Sequence, residues 1–388
     1  MEAFEKLGVS WGIVEEINKR GFTKPTEIQK KAIPWALKNK NVIVAAPTGS
    51  GKTLVYGVRV IQNSSLGKGL QNVVVVPTRE LANQVQRELQ TFAELRHLKV
   101  LSIATGTPTS AQYDKILESE ILIATPGKLI DHIEKNGLNL TNIKTLVLDE
   151  ADTLISTEFK EQTIKIIEKI PRTRQTILTS ATINQEVAKL CNKYMRNPVK
   201  VFAGTQVDSK KLKQCLYEVE AKQKLSLLIH LLNKEQAGLT MIFTNRTETA
   251  EFVGKNIKKF TNLKVGVIHG DLGQGKRNKI ISEFSDEKMD ILVATDIAAR
   301  GLDFENITHI YNYNIPAEDK KYIHRIGRTA RAGRTGKVIN LVGEKDVNHL
   351  INIMKENKIS IMRQEVPKNL EIIEAVAVEN SKKNKGKN

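Results

Sequence analysis

The chain has 388 residues, in which lysine and arginine outnumber aspartate and glutamate by 60 to 43, giving a net charge of +17. This length exceeds what one ordinary hydrophobic core organises and predicts two domains. The charge favours a polyanionic partner, either nucleic acid or an anionic membrane surface, although a lysine-rich proteome would produce the same excess. No apolar run approaches the roughly 18 residues that span a bilayer, so we expect no membrane segment.

The cysteines and the start of the chain indicate a reducing compartment. Cys191 and Cys215 are far apart and form no CxxC pair, which argues against a disulfide framework and against a zinc site. The mixed, acidic sequence MEAFEKLGVS lacks the basic region and the long apolar segment of a signal peptide. We therefore expect an untargeted, cytoplasmic protein.

Short runs rich in valine and isoleucine alternate with helix-length polar segments in two successive sets. This alternation is typical of βαβ units and predicts an α/β fold with mainly parallel sheets. The first set of predicted strands comprises residues 41–45, 72–76, 121–124, 145–148 and 175–179. The second set comprises residues 239–243, 263–268, 290–294, 309–313 and 337–341.

The boundaries of the predicted domains follow changes in composition. A stretch rich in Gly, Ser and Lys separates the two sets of strands, and we place a linker there at residues 204–214. The N-terminal domain is then 1–203 and the C-terminal domain 215–375. The end of the chain, SKKNKGKN, contains no apolar residue, so we predict a basic disordered tail at 376–388.

A glycine-rich loop, APTGSGKT, joins the predicted strand at 41–45 to an apolar-periodic segment. Gly49 and Gly51 allow successive backbone N–H groups to turn towards phosphate oxygens at the positive end of a helix. Lys52 would reach the β- and γ-phosphates, and the Thr53 hydroxyl would ligate Mg²⁺. The motif usually begins with glycine where this chain has alanine, which still leaves little side chain in the way. The predicted nucleoside triphosphate loop comprises Ala46, Pro47, Thr48, Gly49, Ser50, Gly51, Lys52 and Thr53.

Three acids lie directly behind the predicted strand at 145–148, in the stretch VLDEADTL. Asp149 has the position of the acid that holds Mg²⁺, directly or through water. Glu150 is then the group that accepts a proton from the attacking water or orients it. We predict that Asp152, one turn further on, hydrogen-bonds Ser180 or Thr182 and couples the site to domain closure. An acidic helix start favoured by the helix dipole would explain the acids but not the preceding strand or the phosphate loop.

Further motifs occur in a fixed order along the chain. They are Phe4 with GFTKPTEIQ at 21–29, the loop at 46–53, PTRELA at 77–82, TPGK at 125–128, DEAD at 149–152, SAT at 180–182, IFTN at 242–245, HGD at 269–271 with Gln274 and Arg277, ATDIAARGLD at 294–303 and HRIGRTAR at 324–331. This series resembles the DEAD-box ATP-dependent RNA helicases of superfamily 2. An ordered series is far more specific than any one of its members, and it covers the chain from residue 4 to about residue 341.

The resemblance implies two tandem RecA-like domains, with ATP and RNA bound across the cleft between them. It assigns adenine recognition to residues 4–29, where the Gln29 amide would read the adenine edge and Phe22 or Phe4 would stack on the ring. Asp303 resembles the acid that contacts the ATP ribose.

The C-terminal domain would complete the catalytic site. Arg328 and Arg331 match the arginine fingers that compensate charge developing on the γ-phosphate. His324 matches a residue of the closed-site network, although a lone histidine is more often structural.

The resemblance also implies contacts to the RNA sugar-phosphate backbone, with 2′-hydroxyl contacts separating RNA from DNA and with little sequence preference. The matching positions are Pro77, Thr78, Arg79, Gly106, Thr125, Gly127, Lys128, Asn245, Gly270, Arg277 and Thr295. Aromatic residues make up 5% of the chain, so we expect backbone electrostatics rather than base stacking to dominate. Departures from the family pattern concern RNA contacts: Thr105 replaces a glycine, and Lys128 replaces an arginine and loses its planar fork.

These residues predict an RNA-dependent ATPase in which ATP and single-stranded RNA jointly close two domains and separate a short duplex. The alternative is an ATP-gated RNA clamp or remodelling factor with little unwinding. A DNA helicase and a small-molecule kinase are disfavoured by the adenine element and by the second domain with its arginines. We expect a monomer with RNA as its partner, no membrane partner and Mg²⁺ as cofactor.

Overall fold

The computed structural model describes residues 2–47, 49–104, 110–155, 158–203, 212–235, 237–299, 302, 304, 306–330, 335–357 and 359–377. The chain forms two compact units that divide between Thr205 and Gln206, inside the predicted linker. Unit 1 is the N-terminal unit and unit 2 the C-terminal unit. None of the helices among the described residues combines the length and the apolar character needed to cross a membrane.

Unit 1 alternates strands and helices along the chain. Its strands are β1 (Val42–Ala45), β2 (Asn72–Val75), β3 (Val100–Ile103), β4 (Ile121–Ala124), β5 (Thr145–Leu148), β6 (Gln175–Ser180) and β7 (Val199–Phe202). Its helices are α1 (Glu2–Glu5), α2 (Trp11–Lys19), α3 (Glu27–Leu37), α4 (Lys52–Asn63), α5 (Arg79–Glu94), α6 (Ser110–Glu118), α7 (Pro126–Lys135), α8 (Ala151–Leu154), α9 (Lys160–Lys169) and α10 (Gln185–Tyr194).

Unit 2 repeats this alternation. Its strands are β8 (Leu212–Glu218), β9 (Thr240–Thr244), β10 (Val265–Ile268), β11 (Ile291–Thr295), β12 (His309–Asn312), β13 (Gly336–Val342) and β14 (Met362–Gln364). Its helices are α11 (Lys224–Lys234), α12 (Thr247–Phe260), α13 (Gln274–Ser285), α14 (Asp296–Ala299), α15 (Asp319–Ile326) and α16 (Val347–Asn357), with a short 3₁₀ helix at Glu344–Asp346.

Each unit contains one seven-stranded sheet whose strand pairs are parallel. The strand order is β3, β4, β2, β5, β6, β1, β7 in unit 1 and β10, β11, β9, β12, β13, β8, β14 in unit 2. Counted from the start of each unit, both orders read third, fourth, second, fifth, sixth, first, seventh. The predicted α/β fold with mainly parallel sheets is therefore confirmed.

Helices cover both faces of each sheet, because the central strands are apolar on both sides. Along β1, Val42 and Val44 join one buried cluster, and Ile43 joins the cluster on the opposite face. This division follows the two-residue period of a strand. The packed sheet aligns the carboxyl ends of its strands along one edge. The loops that follow these ends carry the predicted motifs.

The ten predicted strands all exist, with bounds within two residues of those expected, but four strands were not predicted. Strands β3, β7 and β14 are short and partly polar, and all three lie at sheet edges. The predicted linker at 204–214 is wrong at its end, because β8 begins at Leu212 and pairs with β13 and β14.

The predicted tail at 376–388 also begins too early. The side chain of Asn256, buried in α12, accepts from the backbone N–H of Val376 at 2.8 Å and donates to its carbonyl at 3.0 Å. The Lys255 ammonium donates to the Ala377 carbonyl at 2.8 Å. Residues 376 and 377 therefore belong to unit 2, and the rest of that segment lies outside the described residues.

Candidate functional site

The carboxyl ends of the strands in unit 1 form one edge of the sheet, and the predicted motifs follow them in sheet order. The pairing register places Ala45 opposite Ser180, and Val75 opposite both Ala124 and Leu148. The loops after β4 and β2 carry predicted RNA residues, and those after β5 and β1 carry predicted nucleotide and Mg²⁺ residues. The predicted coupling residues Ser180 and Thr182 lie at the end of β6. Ligands of parallel α/β sheets bind outside such carboxyl ends.

The phosphate loop turns at glycines with positive φ. Gly49 has φ 75° and Gly51 has φ 85°, a conformation that costs glycine nothing. A Cβ at Gly51 would also collide with the Gln29 amide. The Lys52 ammonium, in a side chain only 8% exposed, donates to the carbonyls of Ala46 at 2.8 Å and Pro47 at 2.7 Å. Lys52 therefore lies across the loop that would hold phosphates.

Gln29 connects the predicted adenine element to the phosphate loop. Its amide oxygen accepts from the backbone N–H of Thr26 at 2.9 Å, which completes a capping box at the start of α3. Its amide nitrogen donates to the Gly51 carbonyl at 3.1 Å, and the Thr26 hydroxyl donates to the Ser50 carbonyl at 2.9 Å. The start of α3 is thereby fixed against the loop.

The two phenylalanines of that element differ in exposure. Phe4 lies on α1 with 1% of its surface exposed, inside the main apolar cluster of unit 1. The Phe22 side chain is 56% exposed. The stacking surface predicted for either ring is therefore accessible only on Phe22.

Asp149 is buried at 5% exposure and is held by neutral donors. One carboxylate oxygen accepts from the Tyr56 hydroxyl at 2.8 Å, and the other accepts from the Thr179 hydroxyl and from the backbone N–H of Glu150. No lysine or arginine among the described residues forms an ion pair with it. A buried carboxylate without a cation is costly.

The oxygen donors around Asp149 fit a Mg²⁺ ion, because this hard cation prefers carboxylate and hydroxyl ligands. Asp149 supplies the uncompensated carboxylate, and the Thr53 hydroxyl lies at the start of α4 beside Tyr56 and Glu88. Burial and the charge of Asp149 raise the pKa of Tyr56 well above its usual value. Burial raises the pKa of Glu88 as well. Neither Tyr56 nor Glu88 belongs to a motif recognised in the sequence.

Glu150 and Asp152 occupy different positions around the short helix α8. Glu150 precedes the helix with φ 51° and ψ 50°, a left-handed conformation that is uncommon for a residue with a side chain. One oxygen of Asp152 accepts from the backbone N–H and the hydroxyl of Thr182, at 3.1 and 3.0 Å. The Asp152 N–H donates to the Ser180 hydroxyl at 3.3 Å. The contact expected for Asp152 is present, and its coupling role stays a prediction.

The predicted RNA residues of unit 1 begin the helices that follow β2 and β4. The Thr78 hydroxyl caps α5 by accepting from the N–H of Leu81 at 3.3 Å, and Pro77 precedes it and Arg79 follows it. The hydroxyl of Thr125 is buried before α7 and has no hydrogen-bond partner among the described residues. Gly127 and the buried Lys128 lie in the first turn of α7.

Three of the RNA residues predicted in unit 2 lie at the ends of β9, β10 and β11, and the fourth, Arg277, lies on α13. Asn245 follows β9 and donates to the Ile315 carbonyl at 2.9 Å. Gly270 follows β10 with open space where a Cβ would lie, and Thr295 ends β11. The Arg277 guanidinium donates to the Ala298 carbonyl at 2.8 Å.

Arg325 is a buried residue that the sequence analysis did not select. At 1% exposure it pairs with both oxygens of Asp296, at 2.6 and 2.7 Å, and donates to the Asn245 amide oxygen at 2.9 Å. It also donates to Asn312 and to the Asn314 carbonyl. The position of Arg325 beside His324 in HRIGRTAR was the available signal in the sequence. Its burial could not be read from the sequence, because it depends on the several partners that a fully buried arginine needs.

The predicted catalytic residues of unit 2 are described only in part. Arg328 is 7% exposed and donates to the Leu302 carbonyl, and His324 lies at the end of α15. Thr48, Gly106, Asp303 and Arg331 lie outside the described residues.

Two family models match the chain. The DEAD/DEAH box helicase model matches residues 26–190, and the helicase conserved C-terminal domain model matches residues 223–333. The chain is 36% identical over 371 residues to the DEAD-box ATP-dependent RNA helicase CshA of Geobacillus kaustophilus. That match covers 95% of this chain and 79% of the relative.

Solved structures resemble the chain over nearly its whole length. Dbp5 of S. cerevisiae bound to RNA and ADP BeF3 has a TM-score of 0.87 at 27% identity, covering 94% of this chain and 96% of that one. Mss116p bound to ssRNA and AMP-PNP has a TM-score of 0.83 at 28% identity, covering 93% and 78%.

Proposed function

The chain belongs to the DEAD-box family of ATP-dependent RNA helicases, and we propose that it couples ATP hydrolysis to local separation of short RNA duplexes. Its two units are RecA-like domains. The relatives with solved structures were bound to RNA and to ATP analogues. Our proposal is that the same two ligands act together on this chain.

One observation carries the proposal. Apart from Arg277, the predicted RNA residues among those described lie at the ends of the second and fourth strands in unit 1 and of the second, third and fourth strands in unit 2, so the units share two of these sheet positions. In unit 1 the nucleotide and Mg²⁺ residues follow the first and fifth strands, and the coupling residues Ser180 and Thr182 lie at the end of the sixth. Both units thus offer backbone N–H groups and threonine hydroxyls suited to a sugar-phosphate backbone, and unit 2 adds the Asn245 amide. A small-molecule kinase would not need this repeated row.

The phosphates of ATP would take the place that the Lys52 ammonium fills across its own loop. Lys52 would then pair with the β- and γ-phosphates, and the Gly49–Gly51 turn would donate its N–H groups to them. Mg²⁺, held by Thr53 and Asp149, would neutralise phosphate charge when bound. Glu150 would accept the proton of the attacking water. Adenine would stack on Phe22 and bond Gln29.

Unit 2 would contribute positive charge at the reacting phosphate. Arg328 and Arg331 would compensate charge on the γ-phosphate, with His324 beside them and Asp303 on the ribose. Arg328 would have to leave the Leu302 carbonyl to do so. The arginines would therefore act only in a ligand-bound arrangement of the chain, which gives RNA and ATP a mutual effect on affinity.

Through its hydrogen bonds with Thr182 and Ser180, Asp152 would couple the nucleotide site to this ligand-bound arrangement. We also propose that the protein works as a monomer in the cytoplasm. Its two buried free thiols, Cys191 and Cys215, are compatible with a reducing compartment.

An ATP-gated RNA clamp is the second candidate, because a clamp can retain every catalytic residue. A strand-separation assay on a short RNA duplex distinguishes the two. A helicase separates the duplex repeatedly with ATP and at most once per protein with a non-hydrolysable analogue. A clamp holds RNA tightly with the analogue and releases no strand in either condition, and that result would overturn the helicase proposal.

A further inference from the structure

We propose that unit 1 has a second anion site, a pocket at the amino ends of β5 and β6 that takes a small phosphate-bearing ligand. The pocket has a volume of about 330 Å³. Its polar lining includes Asn39, Arg59, Asn63, Asn142, Lys144 and Arg174. No comparison and no motif of the family resemblance assigns a function to these residues.

The pocket is separated from the nucleotide site by the length of the strands. Lys144 directly precedes β5, and Arg174 directly precedes β6. Asp149 and Ser180 lie at the opposite ends of those strands. A strand rises roughly 3.3 Å per residue, so the two sites lie at opposite edges of one sheet.

The charge of the pocket is one-sided. Its lining includes three basic side chains and no acidic one. Arg59, Lys144 and Arg174 form no ion pair with any residue in the described part of the chain. Arg59 instead donates to two amide oxygens, those of Gln175 and of Asn39 at 2.8 Å. The hydrogen bonds to these neutral amides satisfy the donors of Arg59 but leave its positive charge uncompensated.

Arg174 supplies the second, independent observation. It is 8% exposed, and one of its terminal nitrogens donates to the carbonyls of Ile170 and Pro171 at 2.9 and 3.0 Å. These carbonyls lie directly after the end of α9. The Nε of Arg174 is buried and has no hydrogen-bond partner among the described residues. A buried unsatisfied donor in a native fold requires an explanation.

Desolvation adds to the argument from geometry. Burial lowers the pKa of Arg59 and of Arg174, and the nearby Arg172 lowers the pKa of Arg174 further. An anion in the pocket would relieve this repulsion. Guanidinium groups pair with phosphate oxygens through charge-assisted hydrogen bonds. The bonds to the Ile170 and Pro171 carbonyls account for one nitrogen of Arg174, but they do not account for a second guanidinium, that of Arg59, at the same pocket.

The size and lining of the pocket define the class of ligand. A volume of about 330 Å³ is at the small end of ligand pockets, which run from roughly 300 to 1,000 Å³. The asparagine amides can bond phosphate oxygens. We therefore assign a small phosphate anion or the phosphate of a mononucleotide, two sources of one chemistry.

The test is calorimetric titration of the full chain with pyrophosphate at low ionic strength. All proteins carry Lys52→Ala, so that the phosphate loop does not dominate the signal. Asn142→Asp places a carboxylate at the exposed rim of the pocket, and Asn192→Asp, exposed on α10, makes the same charge change elsewhere. We expect saturable binding of one pyrophosphate, weakened about tenfold or more by Asn142→Asp and unchanged by Asn192→Asp.

A second pair of variants guards against a folding artefact. Lys144→Gln should weaken binding, and Lys115→Gln on α6 should not, with thermal unfolding showing that all four variants remain folded. A parallel titration with AMP distinguishes a small phosphate anion from a mononucleotide as the ligand. Binding is assigned to this pocket only where Asn142→Asp weakens it. Absence of saturable binding of both ligands, or equal affinity in Asn142→Asp and Asn192→Asp, would overturn the proposal.

Discussion

The two units have the same strand order but different chemistry at the carboxyl ends of the strands. In unit 1 the first strand leads into the phosphate loop and the fifth into Asp149 and Glu150. In unit 2 the first strand leads into VEAKQK and the fifth into Tyr313 and Asn314. Neither of these segments has a glycine-rich turn or an acid pair. The sheet positions the loops, and the loops decide which unit binds nucleotide.

One buried charge in each unit shows a further difference. Asp149 in unit 1 is a buried carboxylate with neutral hydrogen-bond partners, whereas Arg325 in unit 2 is a buried guanidinium paired with Asp296. Asp149 therefore lacks a compensating cation in the described part of the chain, and Arg325 is compensated by Asp296. We expect changes in unit 1 to affect ligand binding and catalysis, and changes at Arg325 to affect stability first.

The largest effect is expected at Glu150. Glu150→Gln removes the proposed base and keeps the shape of the side chain, so ATP turnover should fall by about 10²- to 10⁴-fold. ATP affinity should remain within a fewfold of the original, because Lys52 and the loop are intact. Steady-state turnover and a fluorescent nucleotide titration measure the two quantities. Glu161→Gln, on α9, is the control, and unchanged turnover in Glu150→Gln would remove the base role.

Arg325→Met should mainly unfold unit 2. It leaves Asp296 without its partner, and breaking such a pair costs about 3–5 kcal/mol of the free energy of unfolding. Arg363→Met is the matched control, because Arg363 pairs with Glu218 at the surface of the same unit with 71% of its side chain exposed, and an exposed pair contributes about 1 kcal/mol or less. Urea unfolding of the two variants measures the difference. Equal losses of unfolding free energy in the two variants would show that the Arg325–Asp296 pair does not stabilise unit 2 more than an exposed pair does.

Asp152→Ala should separate ATP turnover from strand separation. The change removes a charged acceptor of two hydrogen bonds from Thr182, and each such bond contributes about 1.5–3 kcal/mol. Strand separation per ATP hydrolysed should fall by about tenfold or more, while ATP still binds. Asp114→Ala is the exposed control on α6. Complete loss of ATP binding would place Asp152 among the metal ligands instead.

Tyr56→Phe should weaken the response to Mg²⁺ modestly. It removes one of the donors that position Asp149, and a hydrogen bond of this kind contributes about 0.5–1.5 kcal/mol. The Mg²⁺ concentration needed for half-maximal ATP binding should rise about 2- to 10-fold. Tyr311→Phe in unit 2 is the control, because the Tyr311 hydroxyl is buried and has no partner among the described residues. An equal effect of both changes would exclude a positioning role for Tyr56.

The last prediction leaves the function of the protein unchanged and concerns its thiols, one in each unit. Burial raises the pKa of Cys191 and of Cys215 to about 11, so both remain protonated near neutral pH. Because the thiolate is the reactive form, alkylation at about pH 8 should be about 100-fold slower in the folded protein than in the unfolded one. The rate should increase as the pH rises towards 11. Peptide mapping of the two sites measures the opening of each unit separately, and rapid labelling of one site would show that its unit opens readily.

The central strands and the nucleotide loop could be predicted from sequence because their signals are local. A short apolar run such as residues 145–148 predicts a buried strand. A glycine-rich loop that follows such a strand and ends in lysine predicts phosphate binding. Strand β8 was missed because its polar residues 213 and 214 resemble a linker, and only pairing with β13 makes it a strand.

The partners of the site residues could not be predicted, because they depend on tertiary packing. Tyr56 is separated from Asp149 by 93 positions and Arg325 from Asn245 by 80. No local pattern distinguishes Tyr56 from an ordinary core residue of α4. The contact of Asp152 with Ser180 and Thr182 could be predicted, because the helix that follows β5 lies next to the end of the adjacent strand β6.

The most direct test of the account is ATP turnover by the full chain without nucleic acid, with single-stranded RNA, and with DNA of the same sequence at the same salt concentration. The account predicts strong stimulation by RNA and little by DNA, because the proposed contacts include 2′-hydroxyl groups. Equal stimulation by RNA and DNA, or equal turnover with and without RNA, would contradict it.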